Sequence, residues 1–299
     1  NMKKNIIVIT GGAGFVGSNL IKFFLDKTKF KIISIDNYST GNKRNHYKDK
    51  RVNYIKGETK NIRKILMSSK NRINSVFHFG EFSRIYQSFI KMNQCIESNT
   101  IGSNEVFNFC LKNKIRLIYS ATSASIGNKG NDKNLSPYAF TKAKNLELLD
   151  NLRKWFNFRF EILYFYNVYG PKQISTGDMA TVIGIFEDQY RKKKPLTVVK
   201  PGTQSRRFTH IDDTIKACFK AWKLNRCAHY SITNKANYTI LQVARLFKCK
   251  IKMLPPRRGE RFASALTNIN LSNKVHKIYG SIRLKDYIKS FLENHKKRH

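Results

Sequence analysis

The sequence predicts an α/β fold in which a doubly wound parallel sheet is joined to a smaller C-terminal α/β lobe. Up to Gly170, short apolar runs alternate with helix-like segments. The apolar runs are rich in β-branched residues and lack the polar alternation of a half-exposed strand, which is typical of parallel strands covered on both faces. After Gly170 this rhythm loosens and most of the prolines occur, as expected of a smaller lobe that closes over a site.

The strand-like runs follow one another at regular intervals. They are NIIVIT at 5–10, KIISID at 31–36, VNYIKG at 52–57, SVFHFG at 75–80, IRLIYSA at 115–121 and FEILYFYNVYG at 160–170. Helix-like segments lie between them, among them 97–112 and 137–154. Uncharged runs of this length between amphipathic segments indicate strands in the middle of a sheet.

Composition excludes several classes of protein. The chain has 299 residues, of which 41% are hydrophobic, so it can bury a full core. No apolar run reaches the about 18–20 residues that span a bilayer, and the start NMKKNIIVIT lacks the features of a secretion signal. The five cysteines are scattered without a CxxC pair, so we expect no metal site, no disulfide framework and a reducing cytoplasm.

The net charge of +38 is the most unusual global property of the sequence. Such an excess can indicate a nucleic-acid or anionic-membrane partner. Here lysine is spread from end to end with abundant asparagine and isoleucine, which is a compositional bias rather than a basic patch. We therefore expect no specific nucleic-acid partner, and we expect the charge to attract small molecules that carry phosphate.

A glycine-rich turn follows the first predicted strand. In TGGAGFVGS, at 10–18, Gly11, Gly14 and Gly17 recur every three residues, with a strand before them and a helix after them. Such a turn lets a pyrophosphate approach the backbone at the helix N-terminus. Asp36 ends the second strand, where a carboxylate binds ribose hydroxyls and repels a 2′-phosphate. These features predict a Rossmann-type domain that binds NAD rather than NADP, over residues 1–167 and completed by about 208–232, with a substrate lobe at 168–299.

The segment SPYAFTK, at 136–142, predicts a helix start that carries two functional side chains. Ser136 suits the N-cap and Pro137 the first helical position. Tyr138 and Lys142 are then four residues apart on one helix face. On its own this spacing is more typical of a solvated helix face than of an acid–base pair, so its interpretation depends on the rest of the chain.

Together with the glycine turn, this pair makes the sequence similar to the extended short-chain dehydrogenase/reductases, and within them to the nucleotide-sugar epimerase/dehydratase family. The resemblance covers nearly the whole chain, through DNYSTGNKRN, GETKN, FHFGEFSR, SNTIGSNEVF, YSATSASIG, YFYNVYGP, PGTQSRRFTHIDD and PPRRGE in the order usual for the family. It implies cofactor contacts at Gly11, Gly14, Phe15, Val16, Asp36, Asn37, Glu58, Thr59, Phe79, Gly80, Asn99, Tyr138 and Lys142. It implies substrate contacts at Ser83, Thr122, Asn167, Arg206 and Arg257, with Arg207 and Arg258 as the alternatives to the two arginines.

The sequence departs from the family pattern at several of these positions. Glu58 stands where the family has aspartate, and Tyr164 where arginine is usual. Gly80 and Glu81 take the place of two alanines, which predicts an unusual sugar pocket. Arg207 replaces a common aspartate.

The resemblance implies that Thr122, Tyr138 and Lys142 are the catalytic residues. A free tyrosine ionises only near pH 10, so Tyr138 needs positive charge beside it to act as a base. Lys142 and the oxidised nicotinamide are the expected sources of that charge, and Lys142 is also expected to bind the nicotinamide ribose. Tyr138 would take a proton from a sugar hydroxyl as hydride leaves the same carbon, while Thr122 aligns the reacting oxygen.

The reaction expected is epimerisation of a nucleotide-diphosphate sugar at C4 through a transient 4-keto sugar. Family dehydratases carry Thr-Asp-Glu at the active-site hydroxyl, whereas this chain has Thr122-Ser123-Ala124 without a carboxylate. A related 4-dehydrogenase or ketoreductase that releases a keto sugar is one alternative. A non-catalytic dinucleotide-fold protein that binds RNA or an anionic membrane is another. By resemblance we also expect a homodimer formed through the helices at 97–112 and 137–154.

Overall fold

The computed structural model describes residues 3–123, 132–259 and 275–297. Its strands are β1 Ile6–Thr10, β2 Lys31–Asp36, β3 Val52–Lys56, β4 Ile73–His78, β5 Arg116–Thr122, β6 Phe160–Phe165, β7 Val168–Tyr169, β8 Leu196–Val199, β9 Ser205–Arg207, β10 Thr209–His210, β11 His229–Thr233, β12 Asn237–Thr239, β13 Ile251–Leu254 and β14 Val275–Tyr279. Its helices are α1 Phe15–Lys27, α2 Ile62–Leu66, α3 Ile85–Ile90, α4 Met92–Ile96, α5 Ser103–Lys112, α6 Pro137–Phe156, α7 Val182–Arg191, α8 Ile211–Leu224, α9 Ile240–Leu246 and α10 Leu284–Lys296.

Within these described ranges, eight strands form one large sheet, in the order β14-β11-β6-β5-β4-β1-β2-β3. Every neighbouring pair in this sheet is parallel. The order of β1 to β6 is that of the doubly wound dinucleotide-binding fold. In this fold β2 and β3 are added on one side of β1, and β4 to β6 are added on the other side. The predicted fold class is therefore confirmed.

The sheet buries apolar side chains on both faces. Alternate residues of β1 divide between two cores, with Ile6 and Val8 in one and Ile7 and Ile9 in the other. Helices α2, α5 and α6 cover the first face, and α1 and α8 cover the second. This double coverage explains why the strands read as continuous apolar runs without a polar period.

A third core belongs to the part of the chain after β6. It contains side chains of α7, β8, α9 and α10, including Phe186, Val198, Val243 and Leu284. Three two-stranded sheets accompany it, namely β7 with β10, β9 with β12, and β8 with β13. Between the elements of this third core the chain returns twice to the large sheet, where β11 pairs with β6 and β14 pairs with β11.

The topology brings the predicted site residues to one edge of the large sheet. In a parallel sheet all carboxyl ends lie at the same edge, and a crevice opens where the strand order reverses. The glycine turn follows β1, Asp36 ends β2, Phe79 follows β4 and Thr122 ends β5. In the described ranges, no helix combines the length and the apolarity needed to cross a membrane.

Candidate active site

One cavity of about 770 Å³ opens at this edge and extends towards the third core. Every predicted site residue except Asn99 lines it. Those residues are Gly11, Gly14, Phe15, Val16, Asp36, Asn37, Glu58, Thr59, Phe79, Gly80, Ser83, Thr122, Tyr138, Lys142, Asn167, Arg206 and Arg257.

The glycine turn has little room for side chains. Gly11 adopts φ +72°, which favours glycine, and a Cβ on Gly17 would lie 2.2 Å from the carbonyl oxygen of Gly11. Helix α1 then begins at Phe15 with Gly14 as its N-cap and without a side-chain cap. The first turn of α1 therefore presents its backbone N–H groups and its partial positive charge to the cavity, as a binding site for phosphate does.

Asp36 connects the ribose end of the cavity to this turn. Its Oδ2 accepts a hydrogen bond from the backbone N–H of Ala13 at 3.0 Å, and its Oδ1 accepts one from Tyr38 at 2.8 Å. Burial raises the pKa of this carboxyl, and the two backbone hydrogen bonds oppose that shift. A carboxylate has about four acceptor positions, so Asp36 keeps the capacity to bind ribose hydroxyls while it holds the turn.

Three further residues complete this wall. Asn37 donates from Nδ2 to Glu58 Oε2 at 3.2 Å, which brings together the residues predicted to contact the adenosine. Thr59 follows in a short 3₁₀ turn. A glycine turn at a helix N-terminus, a buried carboxylate and a polar pair therefore lie along one cavity, and this arrangement fits the predicted contacts with the phosphates, ribose and adenine of a dinucleotide.

Helix α6 begins as predicted. The Ser136 hydroxyl accepts a hydrogen bond from the backbone N–H of Ala139 at 3.0 Å, and Pro137 occupies the first turn. This start places Tyr138 and Lys142 in the cavity wall, and both residues are buried. Tyr138 is held from behind, since its backbone N–H donates to the Ser88 hydroxyl at 3.2 Å.

Thr122 lines the same cavity at the end of β5, the strand that also carries Tyr119 and Ser120. Ser123 also lines it and is buried. Thr122, Tyr138 and Lys142 are thus brought to one site from β5 and α6. The segment that follows, including Ala124, lies outside the described residues.

Asn99 is the exception among the predicted cofactor contacts. It is fully buried in a π-helical turn, Glu97–Gly102, between α4 and α5. Its Oδ1 accepts from the backbone N–H of Phe82 at 2.7 Å, and its Nδ2 donates to the Phe82 carbonyl at 3.0 Å. Its amide therefore fixes the loop after β4 from behind the cavity wall, and the side chain does not line the cavity, so its contact with the cofactor stays a prediction.

The far end of the cavity distinguishes between the arginine alternatives. Arg206 and Arg257 line the cavity. Arg207 instead donates to the carbonyls of Asn234 and Lys235, at 3.0 and 2.6 Å. Arg258 lies over the ring of Phe89, 5.8 Å from its centroid. Arg206 and Arg257 therefore have the position needed to bind phosphate oxygens, for which the guanidinium fork is suited.

Two charged residues of the site were not assigned a role from the sequence. Glu81 forms an ion pair with Lys142 at 2.5 Å, in which its side chain is 2% exposed. Arg84 lines the cavity and donates from Nε to the Met179 carbonyl at 2.7 Å. The glutamate at an alanine position was a visible signal in the sequence, but its partner lies 61 residues away and could not be read from spacing.

The described residues also include side chain types that hold metal ions. In residues 3–123, 132–259 and 275–297, no group of three or more histidine, cysteine, aspartate or glutamate side chains could hold a metal ion. The polar groups that line the cavity are hydroxyls, amides, ammonium groups, guanidinium groups and carboxylates.

Comparison with known proteins agrees with this geometry. Residues 7–234 match the model of the NAD dependent epimerase/dehydratase family. The chain is 30% identical over 224 residues to an ADP-L-glycero-D-manno-heptose-6-epimerase of Brachyspira hyodysenteriae, a match that covers 70% of each chain.

Solved structures have the same fold over nearly the whole length. The UDP-glucose 4-epimerase of Thermotoga maritima, solved with UDP-glucose, superposes with a TM-score of 0.84 at 21% identity, covering 98% of this chain and 99% of that one. The UDP-glucose 4-epimerase of Thermus thermophilus, solved with NAD, gives 0.82 at 20% identity, covering 97% and 99%. At these identities the superpositions show a shared fold and nothing finer.

Proposed function

Because the chain belongs to the NAD-dependent epimerase/dehydratase family, we propose that it epimerises a nucleotide-diphosphate sugar at C4 through a transient 4-keto sugar. NAD is the cofactor of this family. The observation that carries the proposal is the presence of Thr122, Tyr138 and Lys142 in the cavity that also contains the glycine turn and Asp36. Neither the three catalytic residues alone nor the glycine turn and Asp36 alone would specify this chemistry.

We assign each residue a separate role. When bound, NAD⁺ supplies a hydride acceptor. Tyr138 removes the proton of the C4 hydroxyl as hydride leaves C4, and it returns that proton when hydride comes back on the other face of the sugar. Thr122 donates a hydrogen bond to the same oxygen and aligns it. Lys142 orients the nicotinamide ribose through its ammonium.

The substrate's diphosphate is assigned to the opposite end of the cavity. Arg206 and Arg257 would bind its oxygens, and Asn167 and Ser83 would contact the rest of the substrate. Asn167 is held in place by a hydrogen bond from Nδ2 to the Arg207 carbonyl at 2.9 Å. A fixed diphosphate leaves the sugar ring free to present either face of C4 after the proton and hydride have left.

The residues near Thr122 support epimerisation over dehydration. Removal of water across C5 and C6 needs an additional acid and base. Ser123 and Ala124 supply neither, since the sequence Thr122-Ser123-Ala124 has no carboxylate. Chemistry confined to one carbinol carbon needs only the proton carrier and the hydride acceptor.

A panel of substrates tests the proposal. The purified protein is incubated with NAD⁺ and with UDP-, GDP-, CDP-, dTDP- and ADP-linked sugars, an ADP-heptose included. The 340 nm absorbance and the product stereochemistry by NMR are then followed. We expect one C4-inverted sugar without net NADH, and we expect Tyr138→Phe to lower the rate by about 10²–10⁴-fold.

Other outcomes identify the alternatives. Accumulation of NADH with a keto sugar would indicate a 4-dehydrogenase or ketoreductase, and inversion at C6 would indicate a reaction like that of the heptose epimerase relative. If no sugar changes and Tyr138→Phe leaves salt-sensitive RNA binding intact, a non-catalytic binding protein is indicated.

Three further proposals accompany this function. We propose a homodimer, formed through the helices that contain Ile101 and Phe140, because both side chains are exposed.

We propose a cytoplasmic location, because all five cysteines are free thiols. We propose that residues 1–167, with about 208–232, form the NAD-binding domain, and that 168–299 bind the nucleotide sugar.

A further inference from the structure

Glu81 is buried against the proposed catalytic lysine. Its Oε1 accepts a hydrogen bond from Lys142 Nζ at 2.5 Å, and its Oε2 accepts from the Tyr119 hydroxyl at 3.0 Å and from Asn145 Nδ2 at 3.1 Å. The Ser103 hydroxyl is the fourth partner, at 2.5 Å from Oε2. The side chains of Glu81 and Lys142 are only 2% and 5% exposed, so water does not screen this pair.

A relay of hydrogen bonds shows that Glu81 Oε2 is an acceptor. The Thr10 hydroxyl oxygen accepts from the backbone N–H groups of Phe79 and Gly80, so its hydrogen points to His78 Nδ1, 2.7 Å away. Burial lowers the pKa of His78 to about 4, so its ring is neutral and has one donor. That donor is Nε2, which faces the Ser103 oxygen at 2.8 Å, and the Ser103 hydrogen is left for Glu81.

The lysine ammonium has three N–H donors, and two of them are used inside the protein. One goes to Glu81 and one to the Ser120 carbonyl, also at 2.5 Å. The third remains for the cavity, which Lys142 lines. Glu81 therefore fixes the direction of Lys142 and opposes its positive charge at the same time.

Other ionisable groups stand around the pair. The Tyr119 hydroxyl is kept protonated because burial raises its pKa well above its usual range. The pKa of the Cys95 thiol is raised by burial to about 11. Tyr138 stands on α6 with Lys142. Arg84, from the loop before α3, is a cation whose pKa is lowered by burial and raised by Tyr138.

We propose that Glu81 is a positioning residue that holds Lys142 and cancels its charge, so that the site favours the oxidised, positively charged form of the coenzyme. An uncompensated ammonium beside the nicotinamide ribose would repel the NAD⁺ ring and would not repel the uncharged ring of NADH. With Glu81 in place, the buried pair is electrically neutral, so the positive charge that Tyr138 needs has to come from the oxidised nicotinamide rather than from Lys142, as the sequence alone suggested. The preference is thereby shifted towards NAD⁺.

The consequence for turnover rests on the function proposed above. An epimerase must return hydride from NADH to the keto sugar before that sugar escapes. A site that favours NAD⁺ favours this return step and disfavours the accumulation of NADH. In this chain we therefore expect the charge at Glu81 to favour epimerisation over a reaction that stops after oxidation.

The test is the ratio of NAD⁺ affinity to NADH affinity, measured by titrating each coenzyme onto the coenzyme-free full-length protein by calorimetry. In Glu81→Gln, which keeps the shape and removes the charge, we expect this ratio to fall about five-fold or more in favour of NADH. A variant that only loosened the fold would weaken both coenzymes alike and leave the ratio unchanged. This readout needs no sugar substrate.

Glu161→Gln is the matched control. Glu161 is also buried, and its Oε2 lies 3.8 Å from Arg116, but it lies at the amino end of β6, away from the cavity. The Glu161→Gln variant should have the same ratio of NAD⁺ affinity to NADH affinity as the wild type. An unchanged ratio in Glu81→Gln, or a shift towards NAD⁺, would overturn the proposal, even if the protein proves to be an epimerase. A shifted ratio in a protein that epimerises no sugar would overturn the proposed function alone.

Discussion

Asp36 illustrates how one side chain serves both the fold and the site. Its position was predicted from the end of a strand about 20 residues after the glycine turn, and it lines the cavity. Its hydrogen bond to the backbone of Ala13 was not predicted, because nothing in the sequence indicates which N–H of the turn lacks a partner. The carboxylate therefore fixes the glycine turn as well as lining the cavity.

Glu81 and Lys142 illustrate the opposite case. The sequence predicted the lysine through its spacing from Tyr138, while the glutamate was visible only as a departure from the alanine expected there. The ion pair depends on how the loop after β4 is held by Asn99, which is a tertiary contact. Local spacing carries no information about such a contact.

His229 gives a prediction about stability and pH. Burial at the start of β11 lowers its pKa to about 4, whereas an unfolded histidine has a pKa of about 6.5. Between these values the unfolded chain binds a proton that the folded chain does not, so this residue makes stability fall as the pH drops from 6.5 towards 4. His229→Gln should flatten the fall by up to about 1.4 kcal/mol per pH unit, measured by urea denaturation at several pH values.

Other buried groups do not obscure this comparison. The pKa values of Glu161 and Glu187 are raised by burial, and these carboxyls act in the opposite direction as the pH falls. Both are present in the wild type and in the variant, so their contributions cancel in the difference. Parallel stability curves for the two proteins would contradict the assignment of a neutral His229.

At the scale of single elements, the start of α6 was predictable and the shape of the preceding helix was not. Ser136 and Pro137 are local signals, and they define the helix start in the structure as expected. The predicted helix at 97–112 instead begins with a π-helical turn, Glu97–Gly102, before α5. One extra residue in a turn leaves the apolar pattern almost unchanged, so the turn could not be detected from periodicity.

The same two helices carry the proposed dimer contact. Ile101 and Phe140 are 50% and 45% exposed, so both side chains are accessible to a partner subunit. Phe140→Glu and Ile101→Glu should each convert a dimer to a monomer, because a carboxylate would be buried without a partner in the interface. Size-exclusion chromatography with light scattering measures the change.

A matched variant controls for this prediction. Met67 is 44% exposed just after α2, outside the two helices. Met67→Glu should leave the oligomeric state as in the wild type. A wild type that is monomeric at micromolar concentration, or dimers that survive both substitutions, would contradict the proposed interface.

At the scale of the whole molecule, the charge of +38 should affect how coenzyme and substrate bind. Both carry diphosphates, so a positive field around the cavity attracts them, and salt screens that attraction. We expect the affinity for NAD⁺ to fall several-fold when NaCl rises from about 20 to about 200 mM. Adenosine, which is uncharged, should compete with NAD⁺ with an affinity that does not change over the same range.

The fold as a whole was more predictable than the site. Glycine spacing, strand composition and the order of motifs are local features, and they were sufficient for the doubly wound sheet and for a cavity lined by Tyr138 and Lys142. A return of the chain to the first domain at about 208–232 was predicted, and β11 begins there, whereas the addition of β14 to the large sheet was not predicted. Contacts between distant loops, such as Glu81 with Lys142, depend on the finished fold.

The most direct test of the account follows the hydrogen at C4. A nucleotide sugar that the protein converts is prepared with deuterium at C4, and the product is analysed by NMR and mass spectrometry. If Tyr138 moves only the proton of the hydroxyl while hydride leaves C4 and returns to it, the inverted product retains deuterium at C4. Loss of the label to water, or inversion at another carbon with C4 untouched, would contradict the account.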